Sequence, residues 1–299
     1  MRFGAVFPTC EIGNDPIVIR DFAQTAEGLG YAHILIYDHV LGAVHEHREP
    51  PLWGPYTECD PFHEPFVLFG YLAAVTSTIE LATGVLILPQ RQTALVAKQA
   101  AEIDVLSGGR LRLGVGTGWN YVEYDCLGTA FEDRGSRLDE QIEVLRAMWR
   151  APVVSFHGQH HRIDRAGILP QPTGHIPLWF GGGSKPSFRR AAHSGDGFMF
   201  GSAGPRVVAA AASLLEAVED EGRDASAFGL EALVDFSKGP ERWTKDLADW
   251  RAAGGTHFSM RAMNTAATFL GVEPPGFTTP TEHIRALETF MNEVGGPTP

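Results

Sequence analysis

The feature that most constrains the fold is an alternation sustained along the whole chain: short apolar runs, each followed by a stretch with helical spacing. The run Phe3–Phe7 reads as a first strand. Asp15 and Pro16 then supply an N-cap with proline at the first helical position, Ile19, Phe22, Ala26 and Leu29 follow at helical spacing, and Gly30 ends the helix. Ala32–Tyr37 is a second strand, a helix starts near Glu64, and Ile79–Leu88 is the third strand. A helix from Thr93 closed by Gly108 and Gly109 leads to the fourth strand, Leu111–Gly116. The same alternation continues through strands at Ile176–Gly182, Gly195–Phe200, Leu230–Phe236 and Thr256–Met260, with helical stripes such as Val207, Ala211, Leu214 and Val218 between them. Eight strand-then-helix units with no linker-like segment predict a parallel sheet with helices outside. That number favours closure into a (β/α)8 TIM barrel over a doubly wound sheet, as one domain spanning 1–299. One segment breaks the pattern: Val153–Ile163 reads as a β-hairpin inserted between strands four and five.

A formal net charge of -12 argues against nucleic acid, whose binding depends on lysine and arginine neutralising phosphates. An anionic ligand would need local donors working against that global field. Three widely spaced cysteines, Cys10, Cys59 and Cys126, form no CxxC pair and suit a reducing compartment. The first residues make a poor signal peptide, and no apolar stretch approaches a membrane span. A cytoplasmic protein without a membrane partner is expected.

In a (β/α)8 barrel the chemistry sits at the C-terminal ends of the strands. Asp38 and His39 follow strand two, and a histidine there can move a proton or stabilise developing charge. The pair reads equally well as a structural brace for a loop. After strand four, Gly114, Gly116 and Gly118 alternate, but Trp119 stands where a dinucleotide fingerprint needs glycine, and no Gly-Lys-Ser/Thr follows. Backbone open to close approach, flanked by Thr117, Trp119 and Asn120, suits a flat heteroaromatic ring; the other reading is that the glycines make room for a bulky neighbour. After strand five, Gly181, Gly182, Gly183 and Ser184 precede a helix, forming a nest at a helix N-terminus with Lys185 and Arg189 nearby, a pattern suited to phosphate. The histidine groups His45/His47 and His157/His160/His161 match no metal motif and are read as surface or substrate-side residues, with no metal expected. The long proline-rich segment from Arg48 to Phe66 could fold over the barrel mouth, with Trp53 and Tyr56 beside a substrate, or pack at a subunit contact.

These segments together resemble the luciferase-like monooxygenase superfamily, and specifically its deazaflavin-dependent branch. The resemblance is carried by "RFGAVFPT", "AEGLGYAHILIYDHV", "LATGVLILPQRQTALVAKQAAEIDVLSGGRLRLGVGTGWN", "EYDCLG" and "WFGGGS…SGDGF". It implies a barrel that binds coenzyme F420, or FMN in sister groups. It also implies a non-proline cis peptide at Gly84-Val85 behind the ring, Thr117, Gly118 and Asn120 flanking the ring and its polyol, and the phosphate at Gly181–Ser184. His39 becomes the leading proton donor or acceptor, and Asp38 would orient it or touch the cofactor. Relatives with an acidic proton donor at the place of Trp119 differ from this chain, which counts against a sugar-phosphate substrate and points to a more apolar pocket. The expected activity is hydride transfer between F420 and a small organic substrate at the barrel mouth, in a homodimer. The alternatives are an FMNH2-dependent two-component monooxygenase, a non-catalytic flavin-binding barrel and a metal-dependent barrel hydrolase.

Overall fold

The computed structural model describes residues 1–295, so the last four residues of the expected domain lie outside it. In chain order the elements begin β1 (Arg2–Val6), α1 (Pro16–Gly28), β2 (His33–Ile36), α2 (Pro65–Val75), β3 (Glu80–Thr83), β4 (Leu86–Ile87), α3 (Thr93–Ser107) and β5 (Leu111–Gly116). They continue α4 (Tyr121–Cys126), α5 (Arg134–Arg150), β6 (Val154–His157), β7 (Arg162–Ala166), β8 (Leu178–Gly181), α6 (Lys185–Ser194), β9 (Gly197–Phe200) and α7 (Pro205–Asp220). The chain finishes β10 (Gly229–Asp235), α8 (Pro240–Ala252), β11 (His257–Arg261), α9 (Asn264–Phe269) and α10 (Pro280–Val294). The strand order β3-β2-β1-β11-β10-β9-β8-β5-β4, with β3 also paired to β5, closes an eight-stranded parallel barrel. Its third strand is split into β3 and β4, and the bond between the pieces, Gly84-Val85, is a cis peptide where the resemblance implies one.

The helices form where the sequence caps them. Asp15 accepts the Ile17 amide at 2.8 Å, Glu64 accepts that of Val67 at 2.8 Å, and Gly108 ends α3 in the left-handed region at φ 70. Outward strand residues such as Ile34, Leu113, Phe198, Leu230 and Phe258 pack against the helical stripes in the main core. The antiparallel hairpin β6–β7 is the expected insertion, held to α5 by Glu140, which accepts amides of Gln159 and His160 and pairs with His161 Nδ1 at 2.6 Å.

Inward-facing residues stack in layers, because alternate strand positions share a face. The lowest layer is charged: Arg112 bridges Glu80 (2.5 Å) and Glu231 (2.6 Å), while His33 Nε2 lies 2.8 Å from Glu231. Trp179 covers the Arg112 guanidinium at 4.3 Å. Burial alone would push the Glu231 carboxyl up, but Arg112 and His33 outweigh it and hold the group well below the usual range. Above this lies a second apolar cluster of Val6, Leu35, Ala82, Trp179, Met199 and Leu233. The top layer is divided. Strands three to five present Gly84, Gly116 and Gly181, whereas Tyr37, Asp235 and Arg261 come from the opposite side. That division sets up the site.

Candidate active site

His39 follows β2 on the rim. Its Nδ1 lies 2.9 Å from Oε2 of Glu123, a residue of α4 that is buried. Glu123 Oε1 accepts the Val40 amide at 2.7 Å and the Leu41 amide at 3.3 Å, so its position is fixed from three directions. An ionised carboxylate only accepts, so Nδ1 carries the proton and Nε2 of the neutral ring is left as the acceptor. Nε2 has no hydrogen-bond partner among the described residues. The ring is walled by Phe62 (4.9 Å between centroids), Tyr56 (5.4 Å) and Trp119 (5.5 Å), all edge-on.

Asp38 does not orient His39. Its Oδ2 accepts the Ile87 amide at 2.9 Å and its Oδ1 pairs with Arg91 at 2.6 Å, while Arg91 also reaches Glu64 at 3.0 Å. Asp38 is therefore a brace that pins β4, just past the cis peptide, to β2. Orienting the imidazole falls to Glu123.

The alternating glycines make room for the bulge at β3–β4. A Cβ on Gly116 would lie 2.6 Å from Val85, one on Gly181 2.7 Å from Val85, and one on Gly118 2.8 Å from Ile87. Gly118 also has φ 63, in the left-handed region. Val85 thus lies over two inward glycines and forms the floor on that side of the mouth. Thr117 accepts the Tyr124 hydroxyl on its carbonyl at 2.7 Å, and Asn120 is the N-cap of α4, accepting the Val122 amide at 3.1 Å.

Beyond β8, Gly182 has φ 127 and Gly183 is exposed with open space where a side chain would go. Ser184 caps α6 in a reciprocal capping box with Ser187. Lys185 and Arg189 are exposed beside this turn.

Of the loop residues, Tyr56 is buried against His39 and Phe62, and burial pushes its phenol well above the ordinary value. Gly54 lies directly against the Trp119 indole. Trp53 does not join them: it is 74% exposed and stacks on Phe269 of α9 at 6.2 Å. His45 meets the Trp119 edge at 6.0 Å, His160 approaches Ser136, and His161 is held by Glu140 and Thr93. Among the described residues, no cluster of three or more His, Cys, Asp or Glu side chains could hold a metal.

Across the mouth, Arg261 Nε donates to Asp235 Oδ1 at 2.8 Å and Nη1 to the Tyr37 hydroxyl at 3.3 Å. Cys10 sits nearby with its thiol pushed up to about 12, chiefly by burial. Reading the sequence did not find Glu123, Tyr37, Asp235 or Arg261. Only Glu123 left a local signal, the Asn120-x-x-Glu123 spacing of a capping box, with the glutamate redirected from the cap to His39.

Among the described residues no helix is long and apolar enough to cross a membrane. An uncharacterized protein of Mycobacterium tuberculosis is 34% identical over 215 residues, 71% of this chain and 74% of its own length. An F420-dependent glucose-6-phosphate dehydrogenase of Nakamurella multipartita is 28% identical over 261 residues, covering 84% of this chain and 73% of that protein. The crystal structure of monooxygenase RslO1 from Streptomyces bottropensis superposes with a TM-score of 0.74 at 19% identity over 98% of both chains, a likeness of fold. The family model for luciferase-like monooxygenase matches residues 1–269, and the chain belongs to that family.

Proposed function

We propose that this protein is an F420-dependent oxidoreductase acting on a small organic substrate at the barrel mouth. The observation that carries the reading is the His39–Glu123 pair, whose unpartnered Nε2 stands on the rim of a mouth lined on one side by Gly84, Gly116 and Gly181. The residues fit a ring with a phosphorylated tail: the glycine side offers backbone and Val85 as a flat floor, and Gly182 and Gly183 lead open into the N-terminus of α6. F420 would supply a hydride-exchanging carbon and little capacity to activate oxygen.

Val85, following Gly84 and seated on Gly116 and Gly181, would support the ring, Thr117, Gly118 and Asn120 its polyol, and Gly181, Gly182, Gly183 and Ser184 the phosphate, with Lys185 and Arg189 adding local positive charge. His39 Nε2 takes up or returns the substrate proton, and Glu123 stabilises the imidazolium that results. Trp119, Tyr56 and Phe62 exclude water around that nitrogen.

The chain belongs to a family named for its monooxygenases, so reduced FMN with oxygen is the second reading. Titrating the purified protein with F420 and with FMN, followed by protein fluorescence, separates the two. Micromolar binding of F420 with weaker FMN is expected. The reverse order moves the assignment to a monooxygenase, and binding of neither removes both. The homodimer implied by the family resemblance has a candidate contact where Val67 of α2 and Leu95 and Leu106 of α3 are exposed. A sedimentation mass equal to one 32.5 kDa chain would remove it.

A further inference from the structure

The top layer of the barrel contains an ion pair that is left half-made. Asp235 and Arg261 are the last residues of β10 and β11, in register with each other, 2% and 7% exposed. They meet through a single bond, Nε to Oδ1 at 2.8 Å. The other carboxylate oxygen, Asp235 Oδ2, and the other terminal nitrogen, Arg261 Nη2, are both buried and have no hydrogen-bond partner. Ser237 Oγ, two residues past Asp235, is likewise buried and unpartnered. Buried polar atoms of this kind are costly unless something satisfies them.

The side chain of Arg261 runs along the rim of the mouth on the β10–β2 side. Its Nη1 reaches the Tyr37 hydroxyl at 3.3 Å, and Tyr37 follows β2, which β1 separates from β11 in the sheet. The guanidinium therefore spans the C-terminal end of β1, between Asp235 and Tyr37. Burial disfavours its charge, but Tyr37 and Asp235 outweigh that, so it stays a cation. Lys238 stands off at 3.7 Å from Asp235 Oδ2, beyond hydrogen-bond reach.

We infer that the substrate carries an uncharged group able both to donate and to accept a hydrogen bond, an alcohol hydroxyl or a primary amide, held between Asp235 Oδ2 and Arg261 Nη2. Such a group satisfies both orphaned atoms at once. A carboxylate satisfies Nη2 but sets a second negative charge against Oδ2, and a hydrocarbon satisfies neither. Sites built to hydrogen-bond a polar group reject analogues that leave their own buried atoms unpaired. The inference deepens the proposed function, since it places the substrate at the same mouth, opposite the glycine side.

The test is calorimetric titration of the full chain, with and without F420, using benzyl alcohol, benzamide and benzoate as matched probes. The two neutral probes are expected to bind roughly tenfold or more tightly than benzoate. Arg261→Lys keeps a charge facing Asp235 but removes Nη2, and should weaken the neutral probes by about tenfold while benzoate, still opposed by Asp235, remains the weakest. The double variant Arg261→Met/Asp235→Leu removes both charges, so that it folds without an unpaired ion, and should abolish the preference. Benzoate binding the wild type as tightly as the neutral probes, neutral-probe affinities unchanged in Arg261→Lys, a preference that survives the double variant, or no binding of any probe would each overturn the inference. If F420 fails to bind while the neutral preference remains, the cofactor assignment falls and this one stands. Normal F420 binding with no preference gives the opposite result.

Discussion

At the scale of single residues, the site turns on which imidazole nitrogen of His39 carries the proton. Glu123 decides this, because both of its oxygens are committed: one to the Val40 and Leu41 amides, the other to Nδ1. In Glu123→Gln the amide oxygen must stay with the two backbone N–H groups, so the new NH2 faces Nδ1 and drives the ring to the tautomer with its proton on Nε2. The expected result is a loss of about 10²-fold in kcat with an altered pH profile, while the Kd for F420 is unchanged. A merely structural glutamate would instead change cofactor affinity and stability with the pH profile intact. His39 was legible in the sequence from its place after the second strand. Its partner was not, because Glu123 is 84 residues away and only barrel closure brings the two together.

At the scale of elements, the helix N-terminus after β8 carries the prediction. Gly183 is exposed, meets nothing within 4 Å and has ordinary φ, so Gly183→Asp should fold normally. A carboxylate at the start of α6 interacts favourably with the helix dipole and leaves Tm unchanged or slightly raised. The same charge repels a phosphate, so affinity for F420 should fall by about tenfold or more, and more steeply at low salt. Unchanged affinity would move the phosphate elsewhere. This turn was readable because three consecutive glycines before a capping serine have a local cause. The third strand was less readable: Ile79–Leu88 looks like one apolar run, and the break into β3 and β4 depends on Asp38, itself held by Arg91, gripping Ile87 from outside the segment. The short helices α4 and α9 lacked the length for a periodic signal. Trp53 read as a substrate-side residue because loop composition says nothing about direction. Its partner, Phe269, lies in one of those short helices.

At the scale of the whole molecule, the eightfold alternation was legible throughout, whereas the charged layer inside the barrel was not. Glu80, Arg112, Glu231 and His257 each sit singly in different strands, and only closure stacks them. That layer makes stability depend on pH. Burial, with Arg112 and His33 close by, depresses the His257 pKa from 6.5 to about 2. Between those values the unfolded chain binds a proton that the folded chain refuses, so stability is full above the unfolded value and falls as pH drops below it. His283, buried under Ala262, is shifted the same way by burial and adds to the slope. Glu231 acts lower, because its folded pKa is depressed: its contribution is present above the ordinary carboxylate value and is lost as pH falls further. Urea midpoints should therefore drop on going from about pH 7.5 to about pH 5.5, by an equivalent of about 1–2 kcal/mol. His257→Gln cannot take up the proton in either state and should show a visibly smaller drop over the same interval. A wild-type midpoint that holds constant across that interval would mean that the folded barrel takes up protons there as readily as the unfolded chain, and that His257 titrates near its ordinary value rather than being held neutral.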